Sequence, residues 1–252
     1  MAIDYLYSLI TAIFVGGAAG YLGSLMITKR MALVGDALGH VALPGIGLAL
    51  LWGFNVSYGA FIFLLLGILL IWLLEGRTDL PTESLVGVIF VLSLAIGFLV
   101  TPEHELLHAL VGDISSVSLL DTIISAVLSI GVVAIIYSIY PKLIISSISE
   151  DLAVSNNIKI KKYNLIYLLA IAVIVALGIK VVGSLLIGAL VITPAAASKK
   201  LSRNLFQYSW GALALGILSC VLGVALSAIT GFAAGPLIIF ASVIFFAISL
   251  FF

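Results

Sequence analysis

Charge is scarce in this sequence. Of 252 residues only 9% are Asp, Glu, Lys or Arg, against about 25% in an ordinary soluble domain, and the formal net charge is zero. That scarcity excludes a freely soluble globular chain, and without a clustered basic face there is no footprint for nucleic acid. Cysteine is reduced to Cys220, set in an apolar run. No disulfide framework can form within the chain, and a single thiol says nothing about redox compartment. Histidine occurs three times, so any metal site must draw most of its ligands from elsewhere. Long polar stretches are missing too. The interruptions between apolar runs reach only about twenty residues, the length of one membrane span rather than of a domain. An enzyme head or a nucleotide-binding domain would therefore have to come from another chain.

What the sequence has instead is apolar length. Hydrophobic residues make up 63% of it, gathered into runs of about 17–25 residues, which at about 1.5 Å per residue match the hydrocarbon thickness of a bilayer. The predicted fold class is all-α, a polytopic helical membrane protein with about nine transmembrane helices. The runs lie at 6–27, 32–52, 57–75, 84–100, 119–140, 163–179, 181–198, 206–229 and 235–252. Eight or ten spans are compatible with the same pattern, because 163–198 is interrupted only by Lys180 and glycines. The first run is too long for a signal-peptide core and lacks a basic segment before it, so it is expected to be retained as a span. Lys29, Arg30, Arg77, Lys142, Lys159, Lys161, Lys162, Lys199, Lys200 and Arg203 all fall in loops that nine spans place on one side. The excess of basic residues in cytoplasmic loops then predicts the N-terminus outside and the C-terminus inside, with Lys180 as the exception.

One run carries an anomaly. Residues 31–49, MALVGDALGHVALPGIGLA, hold Asp36 and His40 four apart, hence on one face of a helix. A charged group at the centre of a bilayer helix costs roughly 2.5–3.5 kcal/mol on insertion scales, and such groups usually serve function. Carboxylate and imidazole together suit a divalent cation such as zinc or manganese. Pairing with each other or with a neighbouring helix is the structural alternative. Gly35 and Gly39 flank the pair, as Gly16 and Gly20 do in the first run. Their spacing lets helices approach closely, and it could also leave room for a pathway. Pro44 and Pro194 lie inside two of the predicted spans. There each removes a backbone donor and is expected to bend its helix, freeing carbonyl oxygens toward a polar site.

Two loops carry information. In residues 141–162, the segment SSISEDLAVSNNIK gives Ser147 and Glu150 capping-box spacing, and Asn157 is an acceptable left-handed stop. A short helix near 148–157 is predicted, a natural docking knob for a partner protein or else a solvated connector. The external loop 101–118, TPEHELLHALVGDISSVS, begins with Thr101 as a possible cap and Pro102 suited to a first helical position. It holds His104-Glu105-x-x-His108, the spacing by which zinc metalloproteases bind metal from one helix face and activate water. With so few histidines, a third ligand would be Glu103, Asp113 or Asp121. A membrane-embedded zinc metalloprotease, an external metal-capturing loop and a plain interfacial helix all fit that short motif.

Four segments together resemble a family. RMALVGDALGHVALPGIGLAL (30–50), ESLVGVIFVLSLAIGFLV (83–100), GDISSVS (112–118) and VVGSLLIGALVITPAAASKKLSRN (181–204) occur in the order and spacing found in the membrane subunits of ABC-3 type zinc and manganese importers. Asp113 stands where that family commonly has asparagine. The resemblance implies a type II ABC-importer-like permease, a single transmembrane domain over 1–252 that has no catalytic site or permanently bound cofactor of its own. It implies transport of zinc or manganese, with ferrous iron also compatible, across a prokaryotic cell membrane. The partners implied are a second copy of the chain, cytoplasmic ABC ATPase subunits, an extracytoplasmic metal-binding protein and membrane lipid, with no nucleic acid. On this likeness Asp36 and His40 match the ion-coordinating positions. Glu150, Asp151, Leu152, Ala153, Asn157 and Ile158 fall in the ATPase-coupling helix, with Asn157 where glycine is common. His104, Glu105 and His108 gain nothing from it. An ion-coupled secondary transporter would need no ATPase; the docking helix and the lack of obvious inverted repeats argue against it. A permease for a metal chelate would want a wide polar cavity without fixed ligands.

Overall fold

The computed structural model describes residues 2–78, 80–101 and 117–251. Their regular structure is helical: α1 (Ala2–Thr28), α2 (Val34–Val41), α3 (Leu43–Trp52), α4 (Val56–Glu75), α5 (Thr82–Val100), α6 (Leu119–Ile148), α7 (Glu150–Ser155), α8 (Ile160–Val182), α9 (Ile187–Leu201), α10 (Leu205–Thr230) and α11 (Ala234–Ser249). Seven segments are long and apolar enough to cross a membrane, counting α2 and α3 as one with α1, α4, α5, α6, α8 and α10. The two remaining predicted runs are filled by α9 and α11, of 15 and 16 residues.

Helix ends follow local chemistry. Asn55 accepts from the Ser57 N–H at the start of α4, and Asn204 from the Gln207 N–H at the start of α10. Ser118 and Asp121 form a reciprocal capping box on α6, each satisfying a backbone donor that helix geometry leaves free. At the far end of α8, Gly183 with φ 87° turns the chain through a conformation that side chains resist.

α1 is the axis of the bundle, with α6, α8, α9 and α10 packed around it. Its contact with α10 is backbone to backbone: a Cβ on Gly216 would run into the Gly16 carbonyl, and one on Gly16 would lie 3.0 Å from the Gly216 carbonyl. The Gly16/Gly20 spacing is thus a packing device. On α4, α5, α6 and α10 large apolar side chains face outward, among them Leu66, Leu69, Val91, Phe98, Leu128 and Leu218. Such a surface would aggregate a water-soluble protein; around a bundle of membrane-length helices it meets acyl chains.

Three sequence expectations are corrected. α6 runs through Pro141 to Ile148, so much of the predicted 141–162 loop is helix. Leu143, fully buried beyond the proline, keeps that extension packed despite the lost backbone bond. The boundary between the sixth and seventh predicted spans lies at Gly183, not Lys180. Lys180 lies within α8, where its ammonium pairs with Asp121 at 2.7 Å. Finally, the cap of α7 is Ser149, whose hydroxyl accepts from the Leu152 N–H at 3.3 Å. Ser147 bonds back to the Ile144 carbonyl inside α6.

Candidate functional site

Asp36 and His40 sit one turn apart on α2, both half-buried. The chain turns sharply before this helix and interrupts it only briefly after it. Before it, Arg30 adopts φ 59° and the Met31 N–H reaches back to the Met26 carbonyl at 2.8 Å. After it, the interruption falls at Ala42, two residues beyond His40, and Pro44 stands in the first turn of α3, where its missing N–H is not needed. Pro44 therefore marks the resumption of the helix. Pro194 is buried in the interior of α9, opposite the start of which Asp36 lies.

The pair is hemmed in closely. A Cβ on Gly188 of α9 would lie 2.5 Å from Asp36 Cβ and 2.7 Å from its Cα, and one on Gly39 would lie 2.5 Å from the Ser184 carbonyl oxygen. Gly35 faces Met26, Val191 and Gly188. The space beside Gly35 and Gly39 is thus taken up by α9 and the turn before it; in this conformation these glycines seat α2 rather than leave a channel. On another side the Phe90 ring of α5 stands 5.5 Å from the His40 imidazole.

Neither polar group is spoken for within the described residues. His40 Nδ1 is buried without a hydrogen-bond partner, and the Asp36 carboxylate has no hydrogen bond or ion pair among the described residues. A buried polar atom left unpaired costs roughly 1–3 kcal/mol, a penalty that a bound cation would relieve. Among the described residues no three His, Cys, Asp or Glu side chains gather as a metal cluster. A cation held by this pair would have to draw its other ligands from water, from backbone carbonyl oxygens, or from beyond the described residues. Sequence reasoning passed over Gly188, Phe90 and the Ser184 carbonyl; the 181–204 segment flagged the first and third only as a family pattern.

The predicted docking segment is the short helix α7. Ala153 is buried, whereas Glu150, Asp151, Leu152 and Val154 are exposed, and Ile148 beside them is 72% exposed. Asn157 adopts φ 54°, the left-handed stop expected of it, and the Ile158 N–H closes onto the Ala153 carbonyl at 2.9 Å. An apolar and acidic knob results, fixed at both ends. Glu103, His104, Glu105, His108 and Asp113 lie outside the described residues. Asp121, considered above as a third ligand for them, is engaged by Lys180 and Ser118.

Comparison with known proteins gives the same chain-long correspondence. The manganese import system permease protein ScaB of Streptococcus gordonii is 32% identical over 248 residues, 97% of this chain and 89% of that protein. The high-affinity zinc uptake system membrane protein ZnuB of Haemophilus influenzae is 31% identical over 250 residues, 97% of this chain and 95% of that one. Among solved structures, PsaBC from Streptococcus pneumoniae in complex with Fab superposes with a TM-score of 0.83 at 28% identity, covering all of this chain and 96% of the other. The model of the ABC 3 transport family matches residues 4–252, and the chain belongs to that family.

Proposed function

We propose that this chain is the transmembrane subunit of an ATP-driven importer of a divalent transition-metal ion, manganese or zinc, in a prokaryotic plasma membrane. Asp36 and His40 carry that reading: an ionisable pair on one face of a membrane helix, unpaired among the described residues, in a chain matched from residue 4 to 252 by a transport family. The names of its relatives, manganese and zinc permeases, support the substrate class. In this reading two copies of the subunit line the pathway, ATPase chains dock on α7 from the cytoplasm, and an extracytoplasmic protein delivers the ion. The N-terminus lies outside and the C-terminus inside.

The chemistry is ligand exchange. A divalent ion cannot enter hydrocarbon with bare charge, so protein oxygen and nitrogen replace part of its water shell. Asp36 supplies negative charge and oxygen ligands. His40 ligates through an unprotonated ring nitrogen. Two side-chain ligands hold the ion without trapping it, which suits a site that must also release. ATP-driven movement of α7 then opens the pathway alternately to either side.

Uptake of radiolabelled manganese and zinc by the reconstituted complex tests this. Asp36→Ala and His40→Ala should each abolish uptake while the complex still assembles. Uptake that persists in both variants would refute the site, and uptake that needs no ATPase chain would refute the class of transporter.

A further inference from the structure

A second polar cluster, partly buried and centred on Asn164, joins the end of α1, the end of α4 and the starts of α5 and α8. Lys29, the first residue beyond α1, donates from Nζ to Asn164 Oδ1 at 3.2 Å. Asn164, in the first turns of α8 and only 7% exposed, donates from Nδ2 to both carboxylate oxygens of Glu75, at 2.7 and 2.8 Å. Thr82 at the start of α5 donates to the same carboxylate at 2.5 Å. The Lys29 ammonium also stands 5.0 Å over the Tyr167 ring. One amide thus faces a cation with its oxygen and an anion with its nitrogen. Asparagine is suited to this because it both accepts and donates from one short side chain. An aspartate would repel Glu75, and a leucine would leave two charged groups short of partners.

The cluster is placed where the chain's two candidate sites are joined. Lys29 is followed by the Arg30 turn that enters α2, the helix of Asp36. Asn164 follows α7 through the Asn157 turn, which the Ile158-to-Ala153 backbone bond holds shut. Glu75 and Thr82 add the end of α4 and the start of α5, and α5 carries the Phe90 ring beside His40. From this geometry we infer that Asn164 is a positioning residue of the transport cycle: its amide ties α7 and α8 to the root of the metal-bearing helix, so that displacement of α7 by the ATPase is passed to α2. The inference rests on the proposed function, since it needs an ATPase that moves α7.

Energetic coupling, not spatial intermediacy, is the criterion for such a link. The assay is manganese uptake per ATP hydrolysed, measured in proteoliposomes with the complete complex and its binding protein. Asn164→Leu should leave ATP hydrolysis within about twofold of the parent while uptake per ATP falls about tenfold or more, the effect of losing charge-assisted hydrogen bonds. Asn164→Asp should uncouple as well, by setting two carboxylates together. Adding Glu75→Gln to Asn164→Asp exchanges amide and carboxylate. The carboxylate then at position 164 accepts from Lys29 and from the amide at position 75, whose oxygen still accepts from Thr82. That double variant should recover most of the coupling ratio, a rescue that a packing role alone does not predict.

A parental coupling ratio in Asn164→Leu would overturn the inference. Should that variant fail to assemble, the Asn164→Asp single and its double with Glu75→Gln decide the matter, and equal behaviour of the two overturns it. A parent complex without ATP-linked uptake would instead overturn the proposed function itself, and the inference with it.

Discussion

Replacing Gly188 with alanine adds one methyl group to the molecule, and the structure fixes what that methyl meets. It would lie 2.5 Å from Asp36 Cβ, 2.7 Å from Asp36 Cα and 2.9 Å from Asp36 N. Carbon atoms in contact settle at about 3.5–4.0 Å, so α9 and α2 must separate by about 1 Å. The obstructing atoms belong to backbone and Cβ, so no rotamer change relieves them. Overpacking of this kind costs about 1–3 kcal/mol, and misplacement of a working group by about 1 Å can lower a rate by roughly a hundredfold. We expect Gly188→Ala to lower both the thermal stability of the purified subunit and its metal uptake, with uptake the more severely affected because Asp36 itself is displaced. The controls are Gly87→Ala and Gly131→Ala, since a Cβ at either meets nothing within 4 Å. These helical positions should gain about 0.5–1 kcal/mol from the alanine and keep normal uptake. If Gly188→Ala transports as well as Gly131→Ala does, the close seating of α2 on α9 has no part in metal handling.

Other perturbations separate local from functional effects. Asp121→Asn should keep most of the α6 cap but lose the Lys180 pair, costing about 1 kcal/mol or less for so exposed a bridge; Asp121→Ala should lose about 1 kcal/mol more with the cap, both read by thermal unfolding in detergent. Asn157→Gly should be tolerated at φ 54°, whereas Asn157→Val should strain the turn by roughly 1–2 kcal/mol and weaken copurification with the ATPase. Burial holds Lys29 below its ordinary pKa of 10.5, against the opposing attraction of Glu75. The folded chain therefore releases this proton at lower pH than the unfolded chain does. Stability from this group should rise with pH up to 10.5, because the unfolded state binds more protons there, and Lys29→Met should remove that slope from the unfolding midpoint.

Much of this was legible from the sequence because its causes are local. Apolar length alone determined the membrane class, since a span is set by bilayer thickness. The i, i+4 spacing of Asp36 and His40 put them on one face without any knowledge of neighbours. Asn157 could be named as a left-handed stop because that conformation depends on one residue's own sterics. What the sequence could not determine depended on distant contacts. Pro141 looks like a helix end until buried Leu143 holds the helix together beyond it. Lys180 looks like a boundary until Asp121, some sixty positions earlier, neutralises it. Gly35 and Gly39 were compatible with a pathway or with packing, and only the position of α9 shows them close-packed in this conformation. The link from Lys29 through Asn164 to Glu75 joins three segments far apart in the chain. No spacing rule announces it, because hydrogen-bond complementarity between such segments exists only once the helices are assembled.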